Sequence, residues 1–342
     1  MRIIQVGVGG FGGCWQDVFK KTPEVQVVGL VDISKDSLKN ACQHFGHSES
    51  ICYTSFKDAL KNVEADAAVV VTPPKFHRAP VVQALEAGLH VISEKPMAES
   101  IADCKAMVQA SIRNKRLYVV SQNYRYHPEM WTLARLIRSG KLGKVGQVKV
   151  DFYLGVWLSG FRQKMEYPLI VDMSIHHMDL IRYLTGADPV AVRAEGWNPI
   201  WSNTVHDCSA SAVFEMSNGA RVVYNGSWVA VGQFSDWNAN WQIECEKGTV
   251  TYEKGKITVH HRGERVDIVS QENVFVQQPP KGDQAGILDE FMRCVKEGAR
   301  PSTVCFDNVH SIGMVFATVK AMKTGKRVSV VDPEIKRLVK GR

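Results

Sequence analysis

Ile3-Ile4-Gln5-Val6-Gly7-Val8-Gly9-Gly10-Phe11-Gly12 opens the chain, an apolar run that passes directly into spaced glycines. Residues 3–6 read as a short buried strand, and the glycines follow the pattern G-x-G-x-x-G. In that pattern Gly7 permits a tight turn, Gly9 lets backbone approach a pyrophosphate, and Gly12 lets the next helix pack closely. The helix then offers free N–H groups and the positive end of its dipole to phosphate. Glycine clusters also make ordinary turns, so the context decides. Here a strand precedes, a helical pattern follows, and Asp32 stands twenty residues past Gly12 at the end of the second strand. An aspartate there accepts hydrogen bonds from an adenosine ribose and repels a 2′-phosphate. Gly7, Gly9, Gly10, Phe11, Gly12 and Asp32 are therefore the candidate dinucleotide-binding residues, with NAD favoured over NADP. Lys35 is near enough to tolerate the extra phosphate. The other account of Asp32 places it at a helix start, where Ser34 is the better cap.

Outward from this motif the first third alternates. Strand patterns at 25–31, 67–71, 91–93 and 117–120 are separated by helical ones at 36–45, 77–87 and 102–113. This is the order of βαβ units in a doubly wound parallel sheet. It ends at Asn123-Tyr124-Arg125-Tyr126-His127-Pro128. Strand-like segments then dominate, at 146–152, 190–195, 209–215, 221–228, 241–245, 249–253 and 256–260, with Asn218-Gly219 and Lys247-Gly248 as turn signals. Helices over 285–298 and 308–324 close the chain. The expected fold class is α/β: a Rossmann-type domain over 1–122, then an α+β domain over 123–342 built on a mostly antiparallel sheet.

Composition bounds the function. With 342 residues, 45% hydrophobic and 23% charged, the chain is long enough for two domains with ample core. No apolar run approaches the ~20 residues that cross a bilayer, and no signal-peptide pattern precedes the first strand, so a cytoplasmic protein without a membrane is expected. Eight scattered cysteines form no C-x-x-C, which argues against a zinc site or a disulfide framework. The net charge of +7 is spread out, with only the tail (Lys336, Arg337, Lys340, Arg342) locally basic, so nucleic acid is not an expected partner.

Three further segments carry candidate chemistry. Glu94-Lys95-Pro96 follows a β-rich run, and Pro96 ends that strand. Ligands of open α/β sheets bind outside the carboxyl ends of the strands. An ammonium there can polarise a substrate oxygen or exchange a proton with it; a surface lysine beside a turn proline is the plainer account. Thr72-Pro73-Pro74-Lys75-Phe76-His77 ends a neighbouring strand. It reads equally as a wall beside the nicotinamide, with Thr72, Pro73 and His77 in contact, or as a structural turn. Asp172-Met173-Ser174-Ile175-His176-His177-Met178-Asp179 leads into a helix ended by Gly186. On a helix Asp172 and His176 share a face, a carboxylate beside a base of suitable pKa. His177 points elsewhere and reads as packing. Asp-x-x-x-His supplies two metal ligands but no evident third, so no metal is expected. Trp157, Trp197, Trp201, Trp228, Trp237 and Trp241 all fall in the second domain, as core, interface or ligand-stacking residues.

Taken together these segments resemble the Gfo/Idh/MocA family, the glucose-fructose oxidoreductase and inositol dehydrogenase-like proteins, over nearly the whole chain. Leu288-Asp289-Glu290-Phe291 and Gly298-Ala299-Arg300-Pro301 resemble the family's closing segment. The resemblance implies a C-terminal open sheet that carries the substrate site and a homodimer or homotetramer interface. It makes Lys95 the catalytic lysine, with Asp172 and His176 on the substrate side. It implies NAD-dependent hydride transfer at a secondary alcohol carbon of a sugar, polyol or inositol-like substrate, with Glu94 near the cofactor and Tyr124 and Arg125 positioning hydroxyls. The chain departs from the family at Tyr167-Pro168-Leu169-Ile170, where many members have a glycine-rich run, and at Ser174, which replaces a glycine. A redox-assisted glycosidase or lyase that retains NAD, and a non-catalytic dinucleotide-dependent regulator, are the alternatives.

Overall fold

A buried strand, β1 (Arg2–Val6), lies inside a six-stranded sheet of order β3-β2-β1-β4-β5-β6 in the computed structural model, which describes residues 1–263, 269–330 and 332–340. Its partners are β2 (Gln26–Val31), β3 (Cys52–Tyr53), β4 (Ala67–Val70), β5 (His90–Ser93) and β6 (Tyr118–Val120), all paired in parallel. The connecting helices are α1 (Gly12–Lys20), α2 (Lys35–Phe45), α3 (Phe56–Asn62), α4 (Arg78–Glu86) and α5 (Ile101–Asn114). This is the expected doubly wound domain, with β3 and α3 added. Both are too short, at two and seven residues, to leave a periodic signal. Ser34 does cap α2, its Oγ accepting from the Ser37 amide at 3.1 Å. The cysteines are free thiols, but Cys42 and Cys52 are not scattered: their sulfurs lie 3.2 Å apart.

The chain divides into two compact units. The first holds Met1–Asn123 and Gln284–Val309, and takes up the chain again from Leu338; the second holds Tyr124–Asp283 and His310–Arg337. Arg342 of the basic tail lies outside the described residues.

The second unit is built on a nine-stranded sheet of order β14-β13-β12-β11-β7-β10-β9-β8-β15. In chain order these are β7 (Val145–Tyr153), β8 (Pro189–Trp197), β9 (Ser209–Met216), β10 (Arg221–Ser227), β11 (Asn240–Cys245), β12 (Gly248–Glu253), β13 (Lys256–Arg262), β14 (Val269–Val274) and β15 (Val328–Ser329). Only the β7–β10 pair is parallel among the described pairings, so the sheet is mostly antiparallel as expected. Its long strands alternate buried and exposed residues, the pattern of a sheet covered on one face. The helices that follow β6 in the chain are α6 (Pro128–Arg138), α7 (Phe161–Lys164), α8 (Ser174–Thr185), α9 (Asp283–Glu297), α10 (Cys305–Thr324) and α11 (Pro333–Val339). Helix α9 belongs to the first unit but for Asp283, and α10 and α11 each contribute residues to both. No helix among the described residues is long and apolar enough to cross a membrane.

Helix α8 is buried from Ser174 through Leu184, polar residues included, so its charges need partners. Arg125 supplies the main one, gripping Asp179 from Nε at 2.6 Å and Nη2 at 2.7 Å. The Ser311 hydroxyl donates to the same carboxylate at 2.7 Å and accepts from Arg182 Nη1 at 3.0 Å. Removing one member of a buried pair strands the other charge, which costs about 3–5 kcal/mol. Asp179→Ala should therefore lose about that much unfolding free energy in urea titration, and Arg125→Met with Asp179→Leu should recover most of it.

Candidate active site

The fingerprint turn leaves β1 through Gly7, at φ +89°, where a side chain would meet the Val71 carbonyl at 2.8 Å. A side chain at Gly12 would meet the Gly7 carbonyl oxygen at 2.6 Å. Both close approaches match the reading of the motif. Helix α1 has no side-chain cap and no acidic residue in its first turn. The amides of Gly10 and Phe11 meet no acceptor among the described residues, and both residues are exposed. Such a helix start fits a pyrophosphate. Asp32 sits beside it, Oδ2 accepting from the amides of Val8 (3.0 Å) and Gly9 (3.3 Å), and Oδ1 from Ser34 (2.9 Å). The carboxylate is thereby fixed next to the turn, where a ribose hydroxyl can reach it.

The next strands deliver their own residues to the same sheet edge. Past β4, the Thr72 hydroxyl is buried with no hydrogen bond among the described residues, and Pro73 is exposed. His77 is wholly buried, its Nε2 2.6 Å from the Thr72 carbonyl and its Nδ1 3.2 Å from that of Met97. The imidazole thus ties the Thr72 loop to the segment after Lys95, and burial pushes its pKa down. Past β5, Glu94 is buried and accepts from Trp15 Nε1 at 2.8 Å and from the Lys95 amide at 3.1 Å. Burial raises its carboxyl pKa against the opposing pull of Trp15 and Lys95. Lys95 itself is half-buried, and its bond to Pro96 is cis. Past β6, Gln122 is buried with both amide atoms unbonded among the described residues, a polar group of the kind that marks a ligand edge.

The second unit gathers the remaining candidates. Tyr124 lies face to face with His176, centroids 4.0 Å apart and planes 14° from parallel, and His127 covers its other side at 4.3 Å. The Tyr252 hydroxyl donates to Asp236 and so accepts from Asn238 Nδ2, which turns Asn238 Oδ1 towards His127 Nδ1 at 2.6 Å. Asp283 Oδ1 lies 2.9 Å from Nε2 of the same ring. Acceptors face both nitrogens of His127, and although burial opposes the charged form, the hydrogen bonds to Asp283 and Asn238 raise its pKa.

Asp172 departs from the expected geometry. It lies in a π-helical turn, Leu169–Met173, before α8 begins at Ser174, so Asp172 and His176 are not one regular α-turn apart. A π-turn widens the spacing. The carboxylate accepts from Arg162 Nε at 2.6 Å. Arg125, expected to meet substrate, is instead buried on Asp179. His177 packs as expected, with Nε2 2.9 Å from the Trp237 carbonyl oxygen and Nδ1 3.2 Å from the Tyr224 hydroxyl, which also bonds Ser174 at 2.7 Å. Among the tryptophans, Trp228 and Trp241 are buried, whereas Trp157, Trp197, Trp201 and Trp237 are exposed. No three His, Cys, Asp or Glu side chains among the described residues group to hold a metal ion.

Sequence reasoning missed Trp15, Arg162 and Tyr224. Trp15 and Tyr224 read as ordinary core, and Arg162 lies ten residues from its partner across a loop.

The sheet order, the glycine turn and Asp32 together define a dinucleotide-binding protein of the Rossmann class. Family models describe residues 1–122 as an oxidoreductase-family, NAD-binding Rossmann fold and residues 130–251 as a GFO/IDH/MocA C-terminal domain. The chain belongs to the Gfo/Idh/MocA family of NAD-binding oxidoreductases. It is 29% identical to the uncharacterized protein y4oX of Sinorhizobium fredii, over 97% of this chain and 96% of that one. It is 24% identical to D-apiose dehydrogenase of Paraburkholderia graminis, over 96% of this chain and 89% of the relative. An oxidoreductase from Agrobacterium radiobacter, solved in complex with NAD+, L-tartaric acid and magnesium, superposes with a TM-score of 0.86 at 20% identity, over 96% of this chain and 98% of that one.

Burial holds the His177 pKa down at about 4, against 6.5 for the free group. The unfolded chain therefore binds the extra proton between those values, and stability present above pH 6.5 is lost as pH falls towards 4. The loss from this one group amounts to about 3 kcal/mol. Urea titrations of His177→Gln at pH 7.5, 5.5 and 4.5 should show a shallower acid slope than the wild type.

Proposed function

We propose that the protein transfers a hydride between NAD and a secondary alcohol carbon of a sugar, polyol or inositol-like substrate. The observation that carries this reading is Lys95, a half-buried cation at the carboxyl end of β5, two strands along the same sheet edge from the glycine turn. Kinship with D-apiose dehydrogenase supports the substrate class. Bound NAD supplies the hydride acceptor. Gly7, Gly9, Gly10, Phe11 and Gly12 hold its pyrophosphate, Asp32 its ribose, and Thr72, Pro73 and Glu94 flank the nicotinamide, with His77 bracing that loop.

The chain's own groups handle the proton and the charge. His176 takes the hydroxyl proton, kept in orientation by the Tyr124 ring stacked on it. We assign to Asp172, whose carboxylate Arg162 holds at 2.6 Å, the part of sustaining the charge that His176 acquires. Lys95 donates a hydrogen bond to the substrate oxygen and stabilises the negative charge that develops there. The Tyr124 hydroxyl, which makes no hydrogen bond among the described residues, is available to a substrate hydroxyl. We assign Arg125 to the Asp179 pair and not to substrate.

A panel of polyols, aldoses and inositols assayed for NAD(P)H absorbance tests the reading. NAD should be preferred over NADP, and Asp32→Ala should narrow or reverse that preference. Lys95→Met and His176→Ala should each lower kcat by about 10²-fold or more while NADH still binds, as measured by fluorescence titration. Turnover unchanged in both variants removes the catalytic assignment.

The proposed assembly is a homodimer or homotetramer formed through the nine-stranded sheet. Val190, Val213 and Trp197 are exposed on its strands β8 and β9, an apolar element in an otherwise charged face. Sedimentation velocity should give a dimer or tetramer, and Val213→Lys should shift it towards monomer.

A further inference from the structure

Gln5 is a fully buried amide between Ile4 and Val6, inside a strand whose neighbours are otherwise apolar. A polar group in that place is destabilising unless its hydrogen bonds are made. Its Nε2 makes two, donating to the Gly7 carbonyl at 3.0 Å and the Gly12 carbonyl at 2.9 Å. One side chain therefore ties the first glycine of the fingerprint to the last. Its Oε1 accepts from Nε2 of Gln16 on α1, itself buried, and Gln16 Oε1 lies 2.6 Å from His47 Nε2.

The orientation of every amide in this relay is fixed. Gln5 faces two carbonyls, so its NH2 group must point there and its oxygen towards Gln16. Gln16 then turns its own oxygen to His47, whose Nε2 carries the proton. All donors run from His47 inward to the turn, an arrangement in which each hydrogen bond polarises the next. The turn it braces presents the Gly10 and Phe11 amides outward.

We propose that Gln5 is a positioning residue for the cofactor, held by Gln16 and His47, which presets the glycine turn for a pyrophosphate. The proposal rests on the reading that this turn holds the pyrophosphate of NAD. Its effect is specific: ligands that carry a pyrophosphate gain from the preset turn, and the adenosine portion alone does not.

The test uses the full chain with Gln5→Met and Gln16→Met, which keep side-chain length and remove the amide. Affinities for NADH, ADP-ribose and adenosine are measured by titration or competition. Gln5→Met should weaken NADH and ADP-ribose by about fivefold to tenfold, the worth of one to two ordinary hydrogen bonds, and adenosine by less than twofold. Gln16→Met should act in the same direction by about threefold, and the double variant should be no worse than Gln5→Met alone, because both act through one relay. Equal losses for all three ligands, or none, in a Gln16→Met chain that melts as the wild type does would overturn the proposal. Should Gln5→Met fail to fold, Gln16→Met alone decides. Failure of the underlying reading looks different: the wild type would then bind ADP-ribose no more tightly than adenosine, and the proposal falls with it.

Discussion

The first unit depends on backbone passing backbone at the end of β1. Gly7 runs against the Val71 carbonyl and Gly12 against the Gly7 carbonyl, with 2.8 Å and 2.6 Å left for any side chain. No other residue satisfies both approaches. Once the turn is forced, α1 must start immediately after it and leave its first amides pointing away from the sheet. The parallel arrangement then delivers the Thr72 loop and Lys95 to the same edge. The buried groups behind that edge hold it in place: Gln5 under the turn, His77 between Thr72 and Met97, and Trp15 on Glu94.

The second unit solves a different problem. Helix α8 has no solvent-facing side over most of its length, so each polar residue on it must be satisfied from neighbouring elements. Arg125 and Ser311 do this for Asp179, and Ser311 and Asp188 for Arg182; Tyr224 and the Trp237 carbonyl do it for His177. His176 is held in plane by stacking under Tyr124, with no hydrogen bond at its buried Nδ1 among the described residues. A stacked imidazole keeps its ring plane while its nitrogens remain at its edge, which suits the proton transfer proposed for it.

The fold was legible in sequence because its signals are local. The glycine spacing, the alternation of strand and helix patterns, and the hairpin dipeptides each lie within a few residues, and both sheets follow from them. Short elements such as β3, α3 and β15 escaped because two to seven residues carry little periodic signal, and the eleven-residue α6 and the strand β14 were not read either. The site was legible only where one segment carries it whole, as at Gly7 to Gly12 or Glu94 to Pro96. Arg125 shows the limit: a basic residue in a polar motif reads as a substrate contact, and nothing within its own segment reveals Asp179, fifty-four positions on. The π-turn at Leu169–Met173 was likewise invisible, since a single inserted residue leaves the apolar pattern of the helix intact.

The contrast between Arg125 and Lys95 shows why burial sorts cations that sequence treats alike. Arg125 is held by two short hydrogen bonds to a carboxylate that is itself buried. Moving it off that carboxylate would break a buried pair. Lys95 stands beside a carboxyl in a different condition. Glu94 already gives one oxygen to Trp15 and the other to the Lys95 amide, and its burial favours the neutral acid. Burial thus sorts the two cations: Arg125 is committed to the buried Asp179, whereas Lys95 stands half-buried at the carboxyl end of β5, beside a carboxyl whose pKa burial raises, where the proposed reading sets it against a substrate oxygen.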